Sequence, residues 1–153
     1  MGAACYPEGH KDTPNRLKEL DFLKEKVDAG VDYLTTQMFF DNNQFYEFKA
    51  RCDFWGIKVP IIAGIMPITN KKGIEKMAEL SPGTQFPAGL LKAIHRADED
   101  QVMNVGVHWA STQVFDLLAY NVDGIHFYTL NRCKPTMEIY RNLGLSSSDV
   151  LWE

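Results

Sequence analysis

Tyr33-Leu34-Thr35-Thr36-Gln37-Met38-Phe39-Phe40, closed by Asp41-Asn42-Asn43, is the stretch on which the fold turns. It is a compact run of β-branched, aromatic and apolar side chains stopped by turn formers, so it predicts a buried strand over 33–40. On its N-terminal side, Leu17, Leu20, Leu23 and Val27 recur at spacings of three and four. That spacing predicts a helix over 14–29 with those four residues as its buried stripe. Asp12-Thr13-Pro14 supplies a cap and a first-turn proline, and Gly30 a stop. On its C-terminal side the order repeats. Phe45, Phe48, Cys52 and Trp55 mark a second helical stripe closed by Gly56, and Val59–Met66 forms another apolar strand stopped by Pro67.

Working further outward, Gly2 to Tyr6 is a short opening strand that ends at Pro7-Glu8-Gly9-His10. After Thr69 as cap, residues 71–80 are predicted helical, and Ser81-Pro82-Gly83 breaks the chain before Pro87 opens a short helix through Arg96. Val102, Gly106, Ala110, Val114 and Leu117 form the inner stripe of a longer helix, its small residues implying close approach to a neighbour. A strand over Ile125–Thr129 and a helix over 134–142, ended by Gly144, complete the chain. Strands that alternate with helices, without hairpin signals, pair in parallel through right-handed crossovers, so the class is α/β. Open doubly wound sheets and closed barrels share this alternation. A closed eight-stranded barrel takes about 250 residues, and 153 leave room for half of one.

A net charge of −4 with both signs interspersed offers no electrostatic footprint for nucleic acid or an anionic membrane surface. No apolar run reaches the roughly 18 residues of a membrane span, and the N-terminus lacks a secretory pattern. Cys5, Cys52 and Cys133 are odd in number and far apart, so neither a disulfide framework nor a zinc site is expected, and the chain reads as reduced and cytoplasmic.

Parallel α/β folds gather ligands at the carboxyl ends of their strands. The residues there are Tyr6, Glu8 and His10 after the first strand; Gln37 beside Thr36, Met38 and Phe39 in the second; Pro67, Thr69 and Asn70 after the third; and Tyr128, Asn131 and Arg132 at the fourth. This polar and aromatic mixture suits a planar heteroaromatic ligand bearing anionic groups. Gln37, a primary amide in an apolar run, needs partners that either a ligand or the neighbouring backbone and water supply. Arg132 carries a fork matched to carboxylates, or makes a surface ion pair. His10 and Lys26 together suit a phosphate; separately each reads as a solvated side chain. His95 and His108 on helices and His126 in a strand interior lack metal-ligand spacing, and Asp98, Glu99 and Asp100 read as dipole partners at a helix start. No phosphate loop or dinucleotide fingerprint occurs.

Four linked segments carry a resemblance: Ala4-Cys5-Tyr6-Pro7-Glu8-Gly9-His10; Lys24-Glu25-Lys26-Val27-Asp28-Ala29-Gly30 with Thr36-Gln37-Met38-Phe39-Phe40-Asp41; Ile62-Ala63-Gly64-Ile65-Met66-Pro67; and His126-Phe127-Tyr128-Thr129-Leu130-Asn131-Arg132. In this order they resemble methylenetetrahydrofolate reductase. The resemblance implies a flavin-dependent barrel that reduces 5,10-methylenetetrahydrofolate to 5-methyltetrahydrofolate, with FAD as cofactor and NADH or NADPH as electron donor. Residues 1–153 would be one domain equivalent to strands five to eight, a C-terminal half barrel that is TIM-barrel-like. By the same resemblance Tyr6, His10 and Lys26 match FAD-contacting positions, with Glu19, Phe22 and Glu25 at nearby matching positions. Gln37 matches the pterin-binding glutamine, and Tyr128 and Arg132 match folate-side positions.

The family's glutamate acid and the aspartate near the flavin pyrimidine belong to the half that this sequence does not contain, so no catalytic residue is assigned. Gly73 stands where many relatives carry a glutamine, and Met77 where an aromatic is common. A half barrel exposes sheet edges and an inner face, so a homo-oligomer or a complementary N-terminal half barrel is the expected partner. The alternative is a non-catalytic flavin- or folate-binding half barrel, or an inactive fragment.

Overall fold

Four short strands pair in parallel in the computed structural model, which describes residues 1–10, 12–13 and 15–145. They are β1 (Gly2–Cys5), β2 (Tyr33–Thr36), β3 (Ile61–Ile65) and β4 (Ile125–Phe127), adjacent in chain order. Ala3 lies opposite Leu34, Leu34 opposite Ile61, and Ala63 opposite Ile125. The crossovers contain α1 (Arg16–Asp28), α2 (Asn42–Phe54) and the trio α3 (Lys71–Leu80), α4 (Ala88–Arg96) and α5 (Val102–Ala119), and α6 (Cys133–Asn142) follows β4.

One face of this sheet is covered. Cys5, Leu34, Ile61, Ala63 and Ile65 join Leu20 and Leu23 of α1, Phe45, Phe48 and Cys52 of α2, Val107, Ala110, Val114 and Leu117 of α5, and Ile139 of α6 in a single apolar core. The alternate residues point the other way, and Gly2, Ala4, Tyr33 and His126 are exposed. A strand order without reversal, covered by helices on one face, is the wall of a barrel; an open doubly wound sheet reverses its order and carries helices on both faces. The fold is therefore α/β and TIM-barrel-like, four strands of wall with a bare concave face.

A second cluster closes the carboxyl end of the helical layer, where Met38, Phe40, Met66, Ile68, Met77, Leu90, Ile94 and Val102 meet. The small residue expected in the α5 stripe has its reason here, since a Cβ on Gly106 would stand 1.8 Å from the Ile68 carbonyl oxygen. The helix α2 is pinned to α5 by polar contacts: Asn42 Nδ2 donates to Gln113 O and to Asp116, and the Tyr46 hydroxyl donates to the same carboxylate. Those two donors, Asn42 first, hold the Asp116 carboxyl below its usual range.

Several expectations are corrected. All three longer apolar runs form ladders shorter than their hydrophobic length: Gln37 to Phe40 lie beyond β2, yet Met38, Phe39 and Phe40 are buried. Apolar runs report burial, and these residues fill the core without pairing. Leu17 is 55% exposed and is no part of the α1 stripe. At about 100° per residue, Leu20, Leu23 and Val27 share one face while Leu17 stands nearly a right angle from its centre. The cap of α1 is Asn15, whose side chain accepts from the Leu17 and Lys18 N–H groups, and the expected first-turn role of Pro14 falls outside the described residues. The cap of α3 is Asn70 instead of Thr69. Asp98, Glu99 and Asp100 precede α5, whose N-cap is Gln101. His126, in β4, is exposed on the concave face.

Candidate functional site

The carboxyl ends of β1 to β4 form one rim, and every singled-out residue after a strand lies along it. Gln37 is at the middle: its backbone N–H donates to Cys5 O at 2.8 Å, which seats it beside Tyr6. On the other side, the Tyr128 hydroxyl donates to Thr36 O at 2.9 Å, one residue before Gln37. The Tyr128 ring crosses β3 where a side chain is missing, because a Cβ on Gly64 would stand 2.7 Å from it and 2.4 Å from Thr36 O. Burial first, then the neighbouring Cys5 and Tyr6, push the Tyr128 phenol up, so it stays a hydrogen-bond donor at neutral pH. Gln37 is half-buried, and its Oε1 accepts from the N–H of Met38. That bond uses one of the amide's four hydrogen-bonding sites.

Two clefts open along this rim. The first, about 310 Å³, is lined by Tyr6, His10, Glu19, Phe22, Lys26 and the adjoining β1 residues Ala4 and Cys5. Tyr6 and His10 meet edge to face at 4.7 Å. His10 Nδ1 accepts from the Asp12 N–H, which makes Nε2 the protonated nitrogen of the neutral ring. Glu19 Oε1 accepts the His10 N–H at 3.0 Å, so this carboxylate already serves to hold the loop. Phe22 is 51% exposed, and Lys26 lies on the surface with no ion pair among the described residues. Glu25 is exposed and lines neither cleft, standing apart from the cluster to which the sequence assigned it. The Cys5 thiol, raised well above its ordinary range by burial, is an inert wall.

The second cleft, about 180 Å³, lies between the ends of β3 and β4 and α3. Thr69, Asn70, Gly73, Lys76, Met77, Tyr128 and Arg132 line it. Arg132 Nη1 donates to Thr69 Oγ1 at 3.4 Å. The rim is divided into two clefts, with Gln37 and the Tyr128–Thr36 bond between them. Sequence reasoning missed Lys76, and it placed Glu8 on the rim without its partner. Lys76 was legible in principle, since Gly73, Lys76, Met77 and Leu80 share a face at helical spacing. The partner of Glu8 was not. Both Glu8 oxygens accept the Gln85 N–H at 3.1 Å, a contact 77 residues away in sequence.

The family described as methylenetetrahydrofolate reductase matches residues 1–144. The chain belongs to the methylenetetrahydrofolate reductase family. It is 39% identical over 153 residues to methylenetetrahydrofolate reductase (NADH) 1 of Arabidopsis thaliana, covering 93% of this chain and 26% of that protein. It is 36% identical over 147 residues to the 5,10-methylenetetrahydrofolate reductase of Escherichia coli K12, covering 95% of this chain and 49% of the relative. The chain thus spans about half or less of the curated reductases it matches. Among solved structures, an uncharacterized protein from Clostridium thermocellum that binds two copies of 5-methyl-5,6,7,8-tetrahydrofolic acid superposes with a TM-score of 0.65 at 18% identity, covering 92% of this chain and 51% of the other. At that identity the likeness is one of fold.

Among the described residues no helix is long and apolar enough to cross a membrane, and no group of three or more His, Cys, Asp or Glu side chains is placed to hold a metal ion.

Proposed function

We propose that this chain forms the flavin and folate mouth of a methylenetetrahydrofolate reductase, acting as the unit equivalent to strands five to eight of the family barrel. The reaction is reduction of 5,10-methylenetetrahydrofolate to 5-methyltetrahydrofolate with FAD as cofactor and NADH or NADPH as donor. The observation that carries the reading is the seating of Gln37 between Tyr6 and Tyr128, with Cys5 O and Thr36 O as the fixed points. It places an amide with spare donors and acceptors on a rim flanked by two aromatic clefts, the chemistry that a pterin edge requires.

The cleft of Tyr6, His10, Phe22 and Lys26 fits FAD. Lys26 is a cation without an ion pair among the described residues, Phe22 offers an exposed aromatic face, and His10 presents Nε2–H. Lys26 and His10 would hold phosphate oxygens, and Tyr6 and Phe22 would bound the rings. Bound FAD would supply the hydride chemistry. This chain's own share is orientation: Gln37 on the pterin, Tyr128 kept protonated beside it, Arg132 toward a carboxylate. None of the described residues is assigned as the acid.

The second reading is a non-catalytic flavin- and folate-binding module or an inactive fragment. The bare concave face and the partial span of the relatives favour it. The deciding experiment purifies the chain, measures retained FAD by absorbance and fluorescence, reduces it anaerobically and adds 5,10-methylenetetrahydrofolate. Bound flavin reoxidised slowly or not at all supports the mouth without the acid. Rapid full turnover overturns the idea that this chain is a partial catalyst, and failure to hold flavin in any form leaves the fragment reading.

A further inference from the structure

A third cleft opens where the start of α2 meets α5, and it shares no lining residue with either rim cleft. Its volume, about 550 Å³, is that of a small-molecule site. Asp41 and Asp116 line it, and no Lys or Arg does. Asp116 is the carboxyl held below its usual range by Asn42 and Tyr46, so it is ionised at neutral pH. Both donors use its Oδ2, and Oδ1 has no protein donor among the described residues. Asp41 caps α2 through Oδ1, which accepts from the backbone and side-chain N–H groups of Asn43, and its Oδ2 is likewise free among those residues. Neither carboxylate takes part in an ion pair among them. His108, exposed on α5, also lines the cleft.

Gln113 adds a third acceptor. It lines the cleft and is only 7% exposed. Its Nε2 donates to Phe39 O at 3.3 Å and to Asn42 Oδ1 at 3.2 Å, which engages both amide hydrogens and fixes which end of the amide is oxygen. The side-chain oxygens both enclosed and without a partner are those of Gln44, Thr84 and Thr136; Gln113 Oε1 also lacks a protein donor among the described residues but keeps an open side. A buried amide oxygen without a donor is costly, and the open space beside it is this cleft. Aromatic rings complete the walls. Trp109 is held by its indole N–H on Phe40 O at 3.1 Å, and a Cβ on Gly89 would stand 3.8 Å from its far edge. Tyr46, whose hydroxyl sits on Asp116, packs against Tyr120 at 4.2 Å. Rings beside carboxylates attract organic cations.

We propose that this cleft binds a small organic cation whose charged head, an ammonium or guanidinium group, carries several N–H donors. Asp116 and Asp41 are its counter-charges, Gln113 Oε1 accepts from it, and Trp109 and Tyr46 wall its carbon chain. Other classes fit less well. An anion meets two carboxylates and no cation, and a neutral apolar molecule leaves the acceptors unpaired. A quaternary ammonium has no hydrogen to give Gln113. No group of three His, Cys, Asp or Glu side chains among the described residues is placed to make this a metal site. The cleft stands apart from the flavin and folate assignment and does not depend on it.

The test titrates the full chain with agmatine, which carries a guanidinium and an ammonium, and follows tryptophan fluorescence and the heat of binding. N-butylurea, a neutral molecule of similar shape, and tetramethylammonium, a cation without N–H donors, are the comparisons. Asp41→Asn and Asp116→Asn each remove one charge and keep an acceptor oxygen for the present donors. Asp53→Asn removes the same charge outside the cleft. Circular dichroism and thermal midpoints verify folding. Agmatine should saturate the parent with a Kd of about 1 mM or tighter, and both comparisons should bind at least about tenfold more weakly. Asp41→Asn and Asp116→Asn should each weaken agmatine about tenfold while Asp53→Asn leaves it unchanged. Trp109→Phe should remove the fluorescence change and keep the heat of binding. No saturation by about 10 mM, equal binding of N-butylurea or tetramethylammonium, or an Asp53→Asn loss as large as that of Asp116→Asn overturns the site. Where one cleft variant fails to fold, the other and the three-ligand comparison on the parent decide.

Discussion

Gln37 and two glycines show what single residues contribute. The side chain of Gln37 is half-buried and, among the described residues, bonded only to the next backbone N–H, so its removal leaves the fold nearly untouched. Gln37→Ala should therefore shift the urea unfolding free energy by under about 1 kcal/mol while weakening folate binding at least about tenfold. An unchanged titration would remove Gln37 from the ligand site. Gly106 behaves in the opposite way. A methyl group 1.8 Å from the Ile68 carbonyl oxygen meets backbone that cannot rotate aside, so Gly106→Ala should cost about 3 kcal/mol or more, read by denaturant titration. Gly64→Ala tests the link from core to rim, because the added Cβ contacts both Thr36 O and the Tyr128 ring. It should lower stability and folate affinity together. The position of Gly106 in an inner stripe was legible in the sequence; the identity of the carbonyl it touches was not, because Ile68 reaches it only through the turn after β3.

The strap between α3 and α4 is the element with a pH dependence. Glu8 accepts the Gln85 N–H from the loop after β1, and the next residue, Phe86, stacks on Phe40 at 4.7 Å. The Glu8 carboxyl is pushed up to about 7, burial being the main cause and Asp41 a lesser one, against the opposing Gln85 hydrogen bond and Arg16. Its folded pKa lies above its unfolded value, so the folded state binds the extra proton between about pH 4.5 and 7. Stability conferred through this group is present at low pH and is lost as pH rises to 7, levelling above it. Allowing for its partial exposure, the loss is about 1 kcal/mol. Glu8→Gln, whose amide oxygen still accepts the Gln85 N–H, should flatten that decline in thermal midpoints taken from pH 5 to 8. An identical slope in the variant would show that another group titrates there. Helices were the legible elements, since the three-and-four spacing of Phe45, Phe48 and Cys52, or of Ala110, Val114 and Leu117, reports a face directly. Strand ends were not: Met38 to Phe40 carry the same apolar signal as Leu34 while making no ladder.

At the scale of the molecule, the sheet has helices on one face and two open edges. Among the described residues β1 pairs only with β2, and β4 only with β3. Tyr33 is 44% exposed on the concave face. Unpaired strand edges and bare sheet faces in general favour association. Light scattering of the purified chain should give a mass above its 17.4 kDa at micromolar concentration, and a strictly monomeric value across that range would show that the open face is tolerated.

By itself the sequence determined the alternation of strand and helix, the parallel class, the buried stripes and the family, because each is carried by local spacing or by contiguous residues. Only the tertiary structure decided that the rim divides into two clefts, that Glu8 meets Gln85, and that Lys76 and Arg132 line one cavity. Those contacts join residues tens of positions apart through the turns that end each strand, and no local pattern records where such turns bring their side chains.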